Sequence, residues 1–553
     1  MRHQLRLQLG ALVSLTLVIL VGYWSLITVG LPETHDGQIH TARIAQYYLA
    51  FQQGQWPPRW APNANAGFGY PVFNFNYPLP YILGLLLIKA QLSVEAAATT
   101  IWLTALVTAG WGMYWLLKSY LTTKAAFLGG WLYALSNYAL LLVYVRGGAG
   151  EIIAYALFPW LFYSFERLIR AGGGWRQFIF WGASLIWAMF LLSHNIMVLF
   201  GTPLFLGFLL FRTRKKLSTW RQLGPPLVLG LSLAAFFWIP AVSEGQATII
   251  RQSPLSHIYQ QHFPTLKQLV YDAWDYGYSR PGPVDGISFN LNPIWLLILG
   301  LGFIGISFRA KPAGIKWLYG GMVGWGVAML PLSSWWWQNL PLVNYIQFPW
   351  RLLFFWPMLA VPVMAWLFDQ TKNHWGWWCG LVIILGASMA TKNQAQNTYF
   401  FPDQYWFQTT TTTSLMDENM PRWFNKGTNY GLDASLFSAH PVACSEPVCQ
   451  FSFKIWTGTA RNYQVFNTAR TRVIERIAYF PGMKVWVDNE FTQIDYQEPA
   501  YPGLVSYRLP AGTHTVVTRF TQDTWPRKLG NTISLMAVLV WLFGFAWVLK
   551  LNW

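Results

Sequence analysis

Asp36 and His40 stand four residues apart, with Arg43 three further on, in the stretch THDGQIHTAR at 34–43. In a helix beginning near Gly37 these side chains share one face, because positions three and four apart are neighbours on a helix surface. A carboxylate, an imidazole and a guanidinium gathered there can take up a proton, relay it and hold an anion. His35 directly precedes the acid. Ile44, Tyr47, Tyr48 and Phe51 make the opposite stripe, expected against membrane or protein. The plainer expectation for Asp36 is an N-cap, a position that Asp favours.

Acids are scarce in the first half of the chain, so each is informative. Of 21 Asp and Glu residues, only Glu33, Asp36, Glu95, Glu151, Glu166 and Glu244 precede Asp272. Glu166 lies beside Arg167 and four residues before Arg170, an ordinary helix-end arrangement, and Glu95 and Glu244 fit helix boundaries. Glu151 follows Arg146 and a glycine-rich turn in YVRGGAGEIIAYALFPW, where it is either a second chemical acid or a first-turn acid favoured by the helix dipole. His194 falls in LLSHNIM between two apolar runs, as a ligand-binding or a hydrogen-bonded structural histidine. Arg59, Arg146 and Arg351 occupy segment boundaries, and their guanidinium forks match phosphate oxygens. Arg351 also has the alternative of snorkelling to lipid headgroups. Trp335, Trp336 and Trp337 read as an interfacial aromatic belt. Trp56, Trp60, Phe68, Tyr70, Phe73, Phe75 and Tyr77 read as stacking platforms for a ligand or as a packed interfacial layer.

The elements that must position these groups are membrane helices. The 553 residues are 54% hydrophobic and 11% charged, with 34 Trp, too apolar and aromatic for an ordinary soluble enzyme. A net charge of +17 raises nucleic acid as a partner, but the basic residues form no single patch. Arg2 and Arg6, Lys118 and Lys124, Arg167 with Arg170 and Arg176, the RTRKK cluster at 212–216, Arg309 with Lys311 and Lys316, and Lys550 all flank apolar runs. That is the positive-inside pattern of cytoplasmic loops, so the charge reports topology and no nucleic acid is expected. No phosphate-binding glycine loop of useful quality appears, which argues against a nucleotide-driven pump.

With those loops inside, spans are expected near 8–30, 95–117, 125–145, 151–168, 177–193, 195–211, 224–243, 290–308, 316–332, 350–368, 375–391 and 529–549. Both termini are then cytoplasmic. The apolar piece from Pro78 is too short for a span and reads as re-entrant or interfacial. The expected organisation is a transmembrane domain at 1–391 with a first outer loop at 31–93, an extracytoplasmic β-rich domain at 392–528, and a final span at 529–553. A second outer segment runs from Ser243 to about Phe289. In the β-rich domain, KVWVDNEFTQIDY and LVSYRLPAGTHTVVTRF alternate as strands joined by turns at Asp488-Asn489 and Pro510-Ala511-Gly512, predicting a small antiparallel β-sandwich. Cys444 and Cys449 fall in it, and a disulfide is preferred to a metal site in an oxidising compartment, with two free thiols as the alternative. Cys379 falls in a span.

HDGQIHTARI, GQWPPRWAPNANAGFGYPVFNFNYPLPY, RGGAGE, SHN, QFPWR and the terminal YFPGMKVWVDN with LPAGTHTVV resemble the bacterial membrane proteins called 6-pyruvoyl-tetrahydropterin synthase-related. More distantly, the chain resembles YfhO-like and other GT-C membrane glycosyltransferases. The resemblance covers nearly the whole chain. It implies a GT-C-like polytopic α-helical protein of about 12 to 13 spans in the bacterial cytoplasmic membrane, with its β-domain outside. It implies transfer of a sugar from a polyprenyl-phosphate donor to an outer-face glycan, lipid or protein acceptor. Asp36 occupies the place of the key acid, as general base or as a group orienting acceptor or metal. Glu151 would be the second acid, with His40 beside them. His35, Arg43, Arg59, Arg146, His194 and Arg351 would bind substrate, and Asp36 and His40 are the candidates to hold a divalent metal such as Mg or Mn. No zinc-binding histidine set of a pterin synthase is present, so no pterin is expected. The rival functions are a lipid-linked glycan transporter and a non-catalytic scaffold for envelope assembly.

Overall fold

The computed structural model describes residues 2–172, 174–214, 216–251, 254–307, 313–339, 346–370, 392, 394–411, 417–438, 440–445 and 449–551. The span expected at 375–391 and Cys379 lie outside the described residues.

Six described helices are long and apolar enough to cross a membrane: Val94–Lys118, Thr123–Arg146, Ala149–Arg170, Asn195–Thr213, Pro349–Gln370 and Trp525–Leu551. A seventh candidate is the pair Ser218–Leu233 and Ala235–Ala247, which meet at a 65° bend where one straight span was expected. Shorter apolar helices include Arg6–Gly22, Phe178–Leu191 and Pro293–Ile304. This is an architecture compatible with a multi-pass membrane protein. The segment after Pro78 is an 11-residue helix, Leu79–Lys89. At 1.5 Å per residue it reaches about 16 Å, half the hydrocarbon thickness.

Two departures from regular helix shape the end of Thr123–Arg146 that meets residues 34–37. In Thr123–Arg146, Ser136 breaks the helix and caps the next turn by accepting from the Ala139 amide, so the chain restarts at Asn137. Residues Leu142–Arg146 then widen into a π-helix that ends at Gly147, whose φ of 67° lies in the left-handed region. A Cβ at Gly147 would sit 2.1 Å from Thr34 Oγ1 and 2.6 Å from the Gly37 amide nitrogen. Glycine is what permits this turn to lie against the first outer loop.

The C-terminal strands are β1 Val442–Cys444, β2 Cys449–Trp456, β3 Ala460–Asn467, β4 Thr471–Ala478, β5 Met483–Val487, β6 Glu490–Thr492, β7 Leu504–Leu509 and β8 Gly512–Phe520. They form two antiparallel sheets, ordered β1-β4-β7 and β2-β3-β8-β5-β6. The Asp488-Asn489 turn closes a β5–β6 hairpin with φ of 51° and 70°, the left-handed pair that a tight hairpin requires. The turn at Pro510 instead carries the chain from the smaller sheet to the larger one. Cys444 and Cys449 form a disulfide between β1 and β2.

Glu475 lies fully buried in this domain and accepts from Arg461 Nη1 (2.9 Å), Tyr463 (3.0 Å), Tyr507 (3.2 Å) and Thr518 (2.5 Å). Each donor offsets part of the cost of burying the charge. Thr518→Val removes one of them while keeping the shape, and we expect it to destabilise the protein by about 2 kcal/mol. Denaturant unfolding of the full chain measures this.

The β-domain is clamped to the membrane part through the first outer loop. Ala478 N donates to Phe68 O (2.8 Å), Arg476 Nη2 to Ala66 O (2.6 Å), and Trp60 packs on Phe520 with ring centres 5.4 Å apart. Below it, buried Glu244 pairs with Arg527 at 2.9 Å and accepts from Asn74 (2.8 Å) and Thr524 (2.6 Å). The last helix begins at Trp525, four residues before the expected start of the final span.

Candidate functional site

The first outer loop is hung on the π-helix by its backbone: His35 N donates to Val145 O (3.0 Å) and Asp36 N to Arg146 O (2.8 Å). A helix follows at Gly37–Gln52, as the sequence predicts. Asp36 stands at its N-cap position, but its carboxylate accepts no cap hydrogen bond. Thr34 Oγ1 takes the Gly37 amide instead, at 3.1 Å. The Asp36 carboxylate is therefore left for other work, with its side chain 42% exposed.

Beneath it lies a buried ion pair. Arg146 Nη2 is 2.9 Å from Glu151 Oε2 and 3.9 Å from Asp36 Oδ2. Tyr138 donates its hydroxyl to the other Glu151 oxygen. The Arg146 guanidinium also lies over the Trp350 ring, 4.7 Å from its centre. Arg351, the next residue, sits within electrostatic range of Arg146, Glu151 and Asp36. No carboxylate lies within 4 Å of Arg351 among the described ion pairs, and its Nε has no hydrogen-bond partner. Gly150 makes room for the cluster: a Cβ there would meet the Tyr77 ring at 2.0 Å and Ser193 O at 2.5 Å.

The histidines ring this centre. His40 Nδ1 pairs with the Tyr81 hydroxyl at 3.0 Å, and Arg43 Nη1 donates to the same oxygen at 3.5 Å. His194 packs on Tyr77 at 4.7 Å, and its Nδ1 accepts from the Met197 amide at 3.3 Å. In a neutral ring that contact leaves the proton on Nε2. His35 stacks on Tyr278 at 4.1 Å, and its Nε2 faces Tyr276 O at 3.3 Å. Tyr276 and Tyr278 belong to the second outer segment, which also receives the Trp350 indole N–H on Ser279 Oγ at 3.2 Å. That segment thus meets the site at His35, next to Asp36, and at Trp350.

Asp36, Glu151, Arg146 and Arg351 come together, with His35, His40, His194 and Arg43 around them. Arg59 does not join them. Its guanidinium donates to Gln522 (2.7 Å), Asn74 (3.1 Å), Phe236 O (2.8 Å) and Asn531 (3.0 Å), beside the Glu244–Arg527 pair. These bonds employ most of its five donors, so Arg59 ties the loop to the last helix, apart from the cluster at Asp36. Trp60, Phe68, Tyr70 and Phe73 are likewise buried packing residues, and only Trp56 of that aromatic set is well exposed, at 62%. Tyr138 and Trp350 are the members of the site that sequence reading missed. Tyr138 lies in a continuous apolar run, and its only signal was the polar Ser136-Asn137 pair before it.

Comparison with protein-family models and with curated proteins finds no match to this chain. The case for function therefore rests on the site.

Among the described residues, no three His, Cys, Asp or Glu side chains gather as metal ligands. His40 Nδ1 is turned to Tyr81, so a divalent ion shared with Asp36 would have to take His40 through Nε2. What the arrangement offers is a partly exposed carboxylate able to accept a proton, next to buried guanidiniums able to hold an anion. Arg43, Arg146 and Arg351 stand among Asp36, Glu151 and Glu418, and Arg351, with no carboxylate at ion-pair distance among the described residues, is the guanidinium placed to hold an anionic ligand.

Burial, and then the charge of Arg146, hold the His35 imidazole below its ordinary range. A histidine depressed in the folded state contributes stability that is complete above its unfolded value of about 6.5 and lost as pH falls through the folded value. We expect the contact of His35 with 276–278 to loosen on acidification. The protection factors of the Tyr276 and Tyr278 amides, corrected for the intrinsic pH dependence of exchange, should fall below about pH 6, and His35→Phe, which keeps the ring stack, should flatten that profile.

Proposed function

We propose that this protein is a GT-C-type membrane glycosyltransferase of about 12 to 13 spans in the bacterial cytoplasmic membrane, transferring a sugar from a polyprenyl-phosphate donor to an acceptor on the outer face. The observation that carries the reading is a half-exposed carboxylate, Asp36, beside the buried Arg146–Glu151 pair, with the Arg351 guanidinium nearby and unpaired by any described carboxylate. The resemblance of the first-loop sequence to GT-C enzymes agrees with it.

In this reading the acceptor hydroxyl attacks the anomeric carbon in one displacement that inverts its configuration. Asp36 takes the hydroxyl proton as the new C–O bond forms. The bond from the anomeric carbon to the phosphate oxygen breaks, and its electron pair leaves with the polyprenyl phosphate. Arg351 and the outer edge of Arg146 stabilise that phosphate, in a site where exclusion of water strengthens the attraction. Glu151 and Tyr138 act one step removed by fixing Arg146, and Glu151 is a positioning residue here.

The test separates bond cleavage from translocation. Purified protein in lipid vesicles is given polyprenyl-phosphate donors labelled in the sugar, with and without chelator. Release of free polyprenyl phosphate together with label in the acceptor supports the enzyme, and the chelator arm decides metal dependence. Label that crosses the bilayer still joined to its lipid would move the function to a transporter, and neither event to a scaffold.

A further inference from the structure

Beside Tyr138 lies a cavity of about 20 Å³ between the restarted helix at Asn137, the segment 274–292 and the first turn of the helix at Trp356. Trp274, Trp295 and Trp356 line it, and the indole N–H of each is buried with no hydrogen-bond partner. The side-chain amide acceptors at its wall are already employed, while the Ser288 and Tyr138 hydroxyls keep acceptor capacity. Asn137 Oδ1 receives Lys392 Nζ (3.2 Å) and Asn292 Nδ2 (3.4 Å). Asn290 Oδ1 receives the side-chain amide of Asn137 and the backbone amide of Asn292 at 3.2 Å. Lys392 adds a positive charge 5.6 Å from the Trp274 ring centre, and no carboxylate lines the cavity among the described residues.

The wall therefore holds surplus donors, a nearby cation and no open amide acceptor. A water molecule brings two lone pairs to three unpartnered indole N–H groups and cannot accept from all of them. A small anion accepts without donating, and the volume suits one of roughly monatomic or carboxylate size. We propose that this cavity is a binding site for a small monovalent anion, either a free halide or the carboxylate of an acidic sugar. The proposal does not depend on the glycosyltransferase reading, since it concerns the donor set alone.

The test uses the purified full-length protein at constant ionic strength, with chloride replaced by methanesulfonate as reference. Chloride-35 NMR should show saturable line broadening on the wild-type protein, displaced by bromide. The double substitution Trp295→Phe with Trp356→Phe removes two of the donors and should weaken apparent chloride affinity at least about tenfold. Displacement of chloride by glucuronate but not by glucose assigns the site to an acidic sugar, and displacement by formate but not glucuronate assigns it to a free ion. Absence of saturable broadening on the wild-type protein would mean water only and overturn the proposal, whether or not the variant folds. So would unchanged affinity in a folded variant.

Discussion

Asp36→Asn should lower sugar transfer by about 10²- to 10⁴-fold, the span usual for loss of a general base. The substitution preserves size and hydrogen-bonding shape and removes only the ability to take a proton. The carboxylate makes no cap bond and is 42% exposed, so the helix at Gly37–Gln52 should form normally and unfolding should change little. The two readouts together distinguish chemistry from structure: turnover falls while the melting curve stays in place. Retained transfer would remove Asp36 as the base.

Glu151→Gln should have the opposite balance, a large stability loss together with an activity loss. Glu151 is fully buried, and its partner Arg146 is 5% exposed at the side chain. Removing one member of a buried pair strands the other charge, at a cost of about 3 to 5 kcal/mol. Tyr138 loses its charged acceptor as well. Denaturant unfolding measures the loss, and a double-mutant cycle with Arg146→Gln tests its origin. If stranded charge is the cause, the double variant should be less destabilised than the sum of the two single ones. Additive losses would show that Glu151 and Arg146 do not act as a pair.

Much of this site was legible because local rules dominate its parts. The helix after Asp36 follows from residue spacing, and the alternation of 484–496 marks strands that the Asp488-Asn489 turn closes into a hairpin. The disulfide between Cys444 and Cys449, preferred to a metal site from the sequence, joins two cysteines only five residues apart. What sequence reading could not supply depends on neighbours distant in the chain. A π-helix at Leu142–Arg146 carries no periodic signature in an apolar run, yet it sets Arg146 between Asp36 and Glu151. Arg59 looked free for phosphate because Gln522 and Asn531, which hold it, lie more than four hundred residues away. The 65° bend after Leu233 is hidden for the same reason: Phe236 N is met there by Ser534 Oγ from the last helix, at 2.8 Å. Capping chemistry also misled in one respect. Asp36 holds the cap position, but Thr34 takes the amide, and only the folded turn at Gly147 shows why.

The measurement that bears most directly on the central claim is transfer of labelled sugar by the purified wild-type protein, from a panel of polyprenyl-phosphate donors, scored by the ratio of polyprenyl phosphate released to sugar gained by the acceptor. The account predicts that at least one donor gives the two in equal amounts, with the anomeric configuration of the sugar inverted. Intact binding of every donor with no release of polyprenyl phosphate would contradict it.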